Sequence, residues 1–301
     1  MNKLLFVESL LRSFIALAKA TWIRSTPSWQ RPFIWMVRYL QFITLLCISI
    51  VASPKRAGLM FILYGWFRPI DDILDGNDKR VAENIEWLIK KNNRLMSLLK
   101  EDSLTLPMVW GNDRLLIVAC KIAQSLGFDR ELRLHVRSIW ELMITEYRWK
   151  TLGIVPTARE LDAFAKRQDQ AIFFLAAIVL KVDLSFFDAV PINRLGVFTR
   201  IDWLYDFAED YKEGLVHVPS EIWQHIDASN NSNIMKNEKV HEAIRGELRA
   251  ITLLWRDVEP WREKLKRATR IKLAGIFYDR YVVGRFASQI KNLCETYGVV
   301  I

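Results

Sequence analysis

Three aspartates fall within five positions of "YGWFRPIDDILDGN" (residues 64–77), and three more recur at intervals of four in "RIDWLYDFAEDYKEG" (residues 200–214). Positions four apart share one face of an α-helix, about 6 Å apart along its axis. Asp71 and Asp75 therefore stack with Asp72 beside them, and Asp202, Asp206 and Asp210 form a single line over two turns. Like charges at this spacing cost roughly 0.2–0.5 kcal/mol per pair on an exposed helix, and more when buried. The neighbours are apolar: Ile70, Ile73 and Leu74 in one stretch, Trp203, Leu204 and Phe207 in the other. Half-buried rows of this kind need cations between the carboxylates.

The rest of the chain is written in the same period. Leu, Ile, Ala, Lys, Arg and Glu recur at helical spacing, strict alternation is hard to find, and only 12 Gly and 9 Pro interrupt 301 residues. The pattern predicts an all-α protein. Helices are expected at about 2–23, 30–52, 54–76, 79–101, 113–126, 128–151, 158–181, 190–213, 236–256 and 259–299, the last one broken. Short connections favour a single domain over residues 1–301, a helical bundle with a buried centre. Pro69, just ahead of the first aspartates, removes a backbone donor and predicts a kink.

Charge and cysteine content narrow the partners. The net charge of +9 points to an anionic partner. Nucleic acid fits poorly, because the basic residues are dispersed and no recognition motif appears. Cys47, Cys120 and Cys294 are far apart and lack metal or disulfide spacing, which predicts reduced thiols in a cytoplasmic setting. The longest uncharged run, "YLQFITLLCISIVASP", has 16 residues, short of the roughly 20 that a membrane span needs. Residues 1–30 carry an amphipathic pattern in Leu4, Val7, Leu11, Phe14, Ala18 and Trp22, with Glu8 and Arg12 interrupting any export signal. Such a helix packs on the body of the protein or lies at a membrane surface.

Two acidic rows suit hard divalent ions. Mg²⁺ prefers oxygen ligands and usually binds through one or two carboxylates plus substrate phosphates. The implied ligand is a diphosphate, and a bundle drawing on 12 Trp, 16 Phe and 8 Tyr can wall an apolar tail. A diphosphate with a long apolar tail is a prenyl diphosphate. Matched spacing and apolar flanks argue against a merely solvated acidic face, and neither stretch has the glycine-centred loop of an EF-hand.

"LYGWFRPIDDILDGND" resembles the first aspartate-rich motif of the squalene/phytoene synthase family, and "DWLYDFAEDYKEGLVHVP" resembles the second. "SPKRAGLMFILYGW" and "TARELDAFAKR" are similar to that family's segments before motif one and before its central helix. The resemblance spans residues 35 to 295 and implies an isoprenoid synthase fold with a central cavity. It implies two or three Mg²⁺ ions held with the diphosphate by Asp71, Asp72, Asp75, Asp202, Asp206 and Asp210. Asp71, Asp75 and Asp206 carry the chemistry; Arg68, Lys212, Tyr205 and Tyr278 contact the substrate; Glu146 lies near a usual family Asp. Typical members ionise a prenyl diphosphate and join two such molecules head to head.

The departures bear on that last step. The family's Ser-Phe pair ahead of motif one is absent, Tyr205 stands at a usual Arg, and Gln168-Asp169-Gln170 replaces a Val-Ala-Gly run. These changes open a second expectation, a terpene cyclase acting on one diphosphate, with Trp66, Trp203, Phe173 and Phe174 as candidate walls for passing cations. A non-catalytic subunit on the same fold is a third, which the intact acidic motifs oppose. For head-to-head coupling, Arg200, Arg270 or Arg285 would have to rebuild a second phosphate site. The protein is expected to be cytoplasmic or peripheral to a membrane.

Overall fold

The computed structural model describes residues 8–13, 53–75, 85–100, 113–182, 196–226, 231–269, 272, 276 and 279–300. The chain divides into two compact units, Met1–Ile144 and Thr145–Ile301. Among the described residues every regular element is a helix, as the periodicity predicts. No described helix is long and apolar enough to cross a membrane.

In the first unit, α1 (Pro54–Leu74) opens on a proline, which needs no hydrogen-bond donor at that position, and continues through Pro69 without a break. Its buried face includes Leu59, Ile62, Leu63, Trp66 and Ile70. It packs against α3 (Asp113–Leu126), whose residues Leu115 to Ala119 are all buried. Asp113 at the start of α3 accepts from Trp66 Nε1 at 3.3 Å and pairs with Lys91 Nζ at 2.8 Å. Lys91 belongs to α2 (Ile85–Lys100), so one carboxylate ties three helices. The short helical segment 8–13 buries Ser9 and Ser13 and leaves Leu11 59% exposed. Ser13 lies so close to α1 that a Cβ on Gly65 would sit 2.6 Å from its own. The serine face, and not Leu11 of the apolar stripe, is therefore the side this segment packs inward.

The border between units falls inside α4 (Asp129–Leu152). In the second unit follow α5 (Ala158–Leu180), α6 (Val197–Lys212), the one-turn α7 (Ser220–Trp223), a 3₁₀ turn (Asn231–Lys236), α8 (Glu238–Ala268), a π turn (Asp279–Val283) and α9 (Gly284–Tyr297). Helix α6, the second acidic stretch, packs against α5, α8 and α9. The expected break near residue 257 is not there. Helix α8 runs on through Pro260 because that proline is exposed, so the carbonyl it orphans meets water, while Val240, Ile244, Leu248, Ile251 and Val258 keep one buried stripe.

Both ends of α6 are set by glycine. Gly196 at the N-cap has φ +102°, and an added Cβ would come within 3.1 Å of the Lys166 nitrogen on α5. At the other end Gly214 has φ +88°. Leu215 N–H donates to the Asp210 carbonyl at 2.9 Å and Gly214 N–H to that of Tyr211 at 3.1 Å. This is the Schellman closure, in which a left-handed residue satisfies the last carbonyls. It turns the chain back so that His217 returns beneath α6.

Candidate acidic sites

In the first unit Asp71 and Asp72 occupy the last turn of α1, and Asp75 is its C-cap. That end of a helix carries partial negative charge, so the dipole adds to the repulsion among the three carboxylates. No basic residue lies in that last turn. Relief comes from one turn back: Arg68 places Nη1 3.0 Å from Asp71 and Nη2 2.7 Å from Asp72. Asp72 is buried and Asp71 remains open to solvent, its side chain 38% exposed. The spacing that marked Arg68 as a phosphate contact thus also makes it the clamp on its own aspartates.

In the second unit the row along α6 has three environments. Asp202 Oδ1 lies 3.3 Å from Arg285 Nη2 and 3.5 Å from Gln289 Nε2, both on α9. Its side chain is 40% exposed, yet its carboxyl is pushed up to about 6. Desolvation by the surrounding protein is the largest cause; Arg285 opposes it, and the Asp206 carboxylate one turn on reinforces it. Asp206 is exposed. Asp210 turns to His217, whose Nδ1 is 3.2 Å from Asp210 Oδ2 and whose Nε2 is 3.6 Å from Glu146 Oε1 on α4. The imidazole is buried and stacked on Trp203, with centroids 4.5 Å apart and planes 11° from parallel. Burial opposes its charge, but the two carboxylates outweigh it and raise its pKa.

A buried carboxylate behind the row positions α6. Asp169 on α5 accepts from the backbone N–H of Gly196 (2.7 Å), Phe198 (3.1 Å) and Thr199 (3.0 Å) and from the Thr199 hydroxyl (2.6 Å). It caps the positive end of a neighbouring helix that has no side-chain cap of its own. Burial pushes its carboxyl up to about 6 while the four donors pull it down. Beside it Arg200 bonds Asp162 on α5 at 2.7 Å and Glu247 on α8 at 2.6 Å.

The remaining candidates are distributed as follows. Tyr205 and Lys212 are exposed on α6. Trp203 lines a cavity described below, whereas Trp66, Phe173 and Phe174 are buried core residues. Phe173 meets Phe198 and Trp261 edge-on at 5.3 and 4.7 Å. Tyr278, Arg270 and Cys47, the expected helix 30–52 and most of the expected helix 2–23 lie outside the described residues. Sequence reasoning missed His217 and the capping role of Asp169. For His217 the available signal is its place three residues after a helix-ending glycine; for Asp169 it is an acid followed, from Ala171 on, by the apolar second half of its helix. No family model, curated protein or solved structure matches this chain.

Proposed function

We propose that the protein is a Mg²⁺-dependent isoprenoid synthase that ionises a prenyl diphosphate, on a bundle of the isoprenoid synthase type, with head-to-head prenyl transfer as its family-like outcome. The observation that carries this reading is the pair of carboxylate rows: Asp71, Asp72 and Asp75 crowd the C-terminal end of α1, where the dipole adds to their repulsion, and Asp202, Asp206 and Asp210 repel one another along α6, so both call for added positive charge.

Each row by itself offers donors suited to a hard divalent ion: Asp71 and Asp75 at the end of α1 in the first unit, and Asp206 on α6 in the second, with Asp71 and Asp206 open to solvent. Among the described residues no three Asp, Glu, His or Cys side chains converge on one point; Mg²⁺ held through one or two carboxylates would draw its remaining ligands from water and substrate phosphates. When bound, Mg²⁺ neutralises charge on the departing diphosphate. Arg68 offers a guanidinium beside Asp71 that can pass from carboxylate to phosphate oxygens, bidentate to either. His217 fixes the Asp210 carboxylate through a buried ring that cannot rotate freely against Trp203.

The cyclase reading is the alternative: Tyr205 stands where the family resemblance expects Arg, while Arg68, Arg200 and Arg285 are alike paired with carboxylates. Product carbon count separates the two. Purified protein incubated with Mg²⁺ and, separately, ten-, fifteen- and twenty-carbon prenyl diphosphates is expected to release pyrophosphate. A product of doubled carbon number establishes coupling and one of equal number cyclisation. Asp71→Ala and Asp206→Ala are expected to abolish turnover while leaving the far-ultraviolet circular dichroism unchanged. Wild-type turnover in excess EDTA would overturn the reading.

A further inference from the structure

Helix α6 presents a second face to a cavity of about 570 Å³, a size typical of small-molecule sites. Arg200, Trp203 and Leu204, at i, i+3 and i+4, form the α6 wall. The acidic row divides: Asp202 leaves the helix on another side, whereas Asp210 reaches the cavity wall through His217. Asp202 reaches Arg285 and Gln289 on α9, whereas Arg200 reaches α5 and α8.

The opposite wall comes from one face of α8, and its glycine is informative. Gly246 lies well inside a 31-residue helix, where glycine costs roughly 1 kcal/mol relative to alanine. Its φ is not left-handed, and nothing lies within 4 Å of where its Cβ would be. Neither backbone conformation nor close packing requires glycine there. What the missing side chain does is leave room beside Ala243 in the cavity wall.

Charge then selects the occupant. Two of the cations at the wall are matched by carboxylates, Arg200 by Asp162 and Glu247 and His217 by Asp210 and Glu146, while Lys239 Nζ donates to the neutral His225 carbonyl at 2.8 Å and keeps its charge. Three glutamates, Glu221, Glu242 and Glu247, line the same space. Glu221 accepts the Ala158 N–H at 3.1 Å and Glu247 is held by Arg200, which leaves Glu242 exposed at the wall. With Asp162, Asp210 and Glu146 behind it, six carboxylates stand against Arg200, Lys239, His217 and the Lys166 that pairs with Asp162, so the surplus is acidic. Such a wall repels a phosphorylated ligand and attracts a cation. We propose that the cavity binds a lipophilic amine, its apolar body against Trp203, Leu161, Ile222 and Ile244 and its ammonium toward Glu242.

The proposal shares Trp203, Arg200 and Asp210 with the prenyl diphosphate reading but does not rest on metal binding, and the test keeps the two apart. Isothermal titration of the full chain with 4-phenylbutylamine, 4-phenylbutanol and 4-phenylbutyl phosphate is expected to show saturable amine binding, weaker alcohol binding and no phosphate binding. Gly246→Leu, which fills the space with a better helix former, should weaken the amine by about tenfold or more. Glu242→Gln should weaken the amine about fivefold and leave the alcohol unchanged. Asp206→Ala should leave amine binding intact. Phosphate binding as tight as amine binding, a Gly246→Leu variant with wild-type affinity, or loss of amine binding in Asp206→Ala would each overturn it, as would no amine binding at millimolar concentration.

Discussion

His217 spends a buried position on a group that a hydrophobic residue would fill at lower desolvation cost. Its return comes only when both ring nitrogens carry protons, one for Asp210 and one for Glu146. Because its folded pKa is raised, the stabilisation is full below the unfolded value of about 6.5 and is lost as pH rises through the folded one. The stability gap between wild type and His217→Gln, measured by urea denaturation from about pH 6 upward, should therefore be widest at the acid end and narrow as pH rises. A gap constant across that range would show that the ring acts by packing on Trp203 alone. Asp169 poses the converse case, an acceptor facing four donors. Asp169→Asn sets an amide donor against two of them, and the expected loss is about 1–3 kcal/mol. Unchanged stability in that variant would mean that α6 does not depend on this cap.

Two glycines make the contrast at the level of helices. Gly196 is left-handed and pressed against α5, whereas Gly246 is helical with open space beside it. Gly196→Ala should therefore destabilise by more than about 1 kcal/mol, and Gly246→Ala should stabilise by about 0.5–1 kcal/mol. Thermal unfolding of the two variants side by side checks the pair, and shifts of the same sign would contradict it. The helices themselves were largely legible, since α1, α3, α4 and α5 begin and end within about two residues of the periodic pattern. The α8 boundary was not. Proline reads as a breaker in one dimension, but its cost depends on whether the orphaned carbonyl faces protein or water, and exposure is a property of packing.

For the whole molecule, a charge of +9 and the exposed Leu11 beside a buried serine face bear on whether the protein meets an anionic membrane surface, where the proposed prenyl diphosphate substrate would be exchanged. Association with anionic lipid vesicles is expected, absent with neutral ones and released by salt that shortens the Debye length to about 3 Å. Co-sedimentation measures it. Retention on vesicles at high salt, or equal binding to neutral lipid, would contradict the electrostatic account.

The sequence by itself determined the all-α class, most helix positions and the two acidic rows, because helical periodicity and i,i+4 spacing are local properties written directly in residue order. It also placed Arg68 on the face of Asp71 and Asp72. Tertiary structure decided the rest: that α9 answers Asp202 with Arg285 and Gln289, that Asp210 turns to His217 and Glu146, and that Asp169 on α5 caps α6. It also decided that α6 sends Asp202 toward α9 while Trp203 and, through His217, Asp210 meet a cavity wall. Each of these pairings joins residues far apart in the chain, and the energy of a carboxylate depends on which cation, donor or solvent the fold brings within about 4 Å of it.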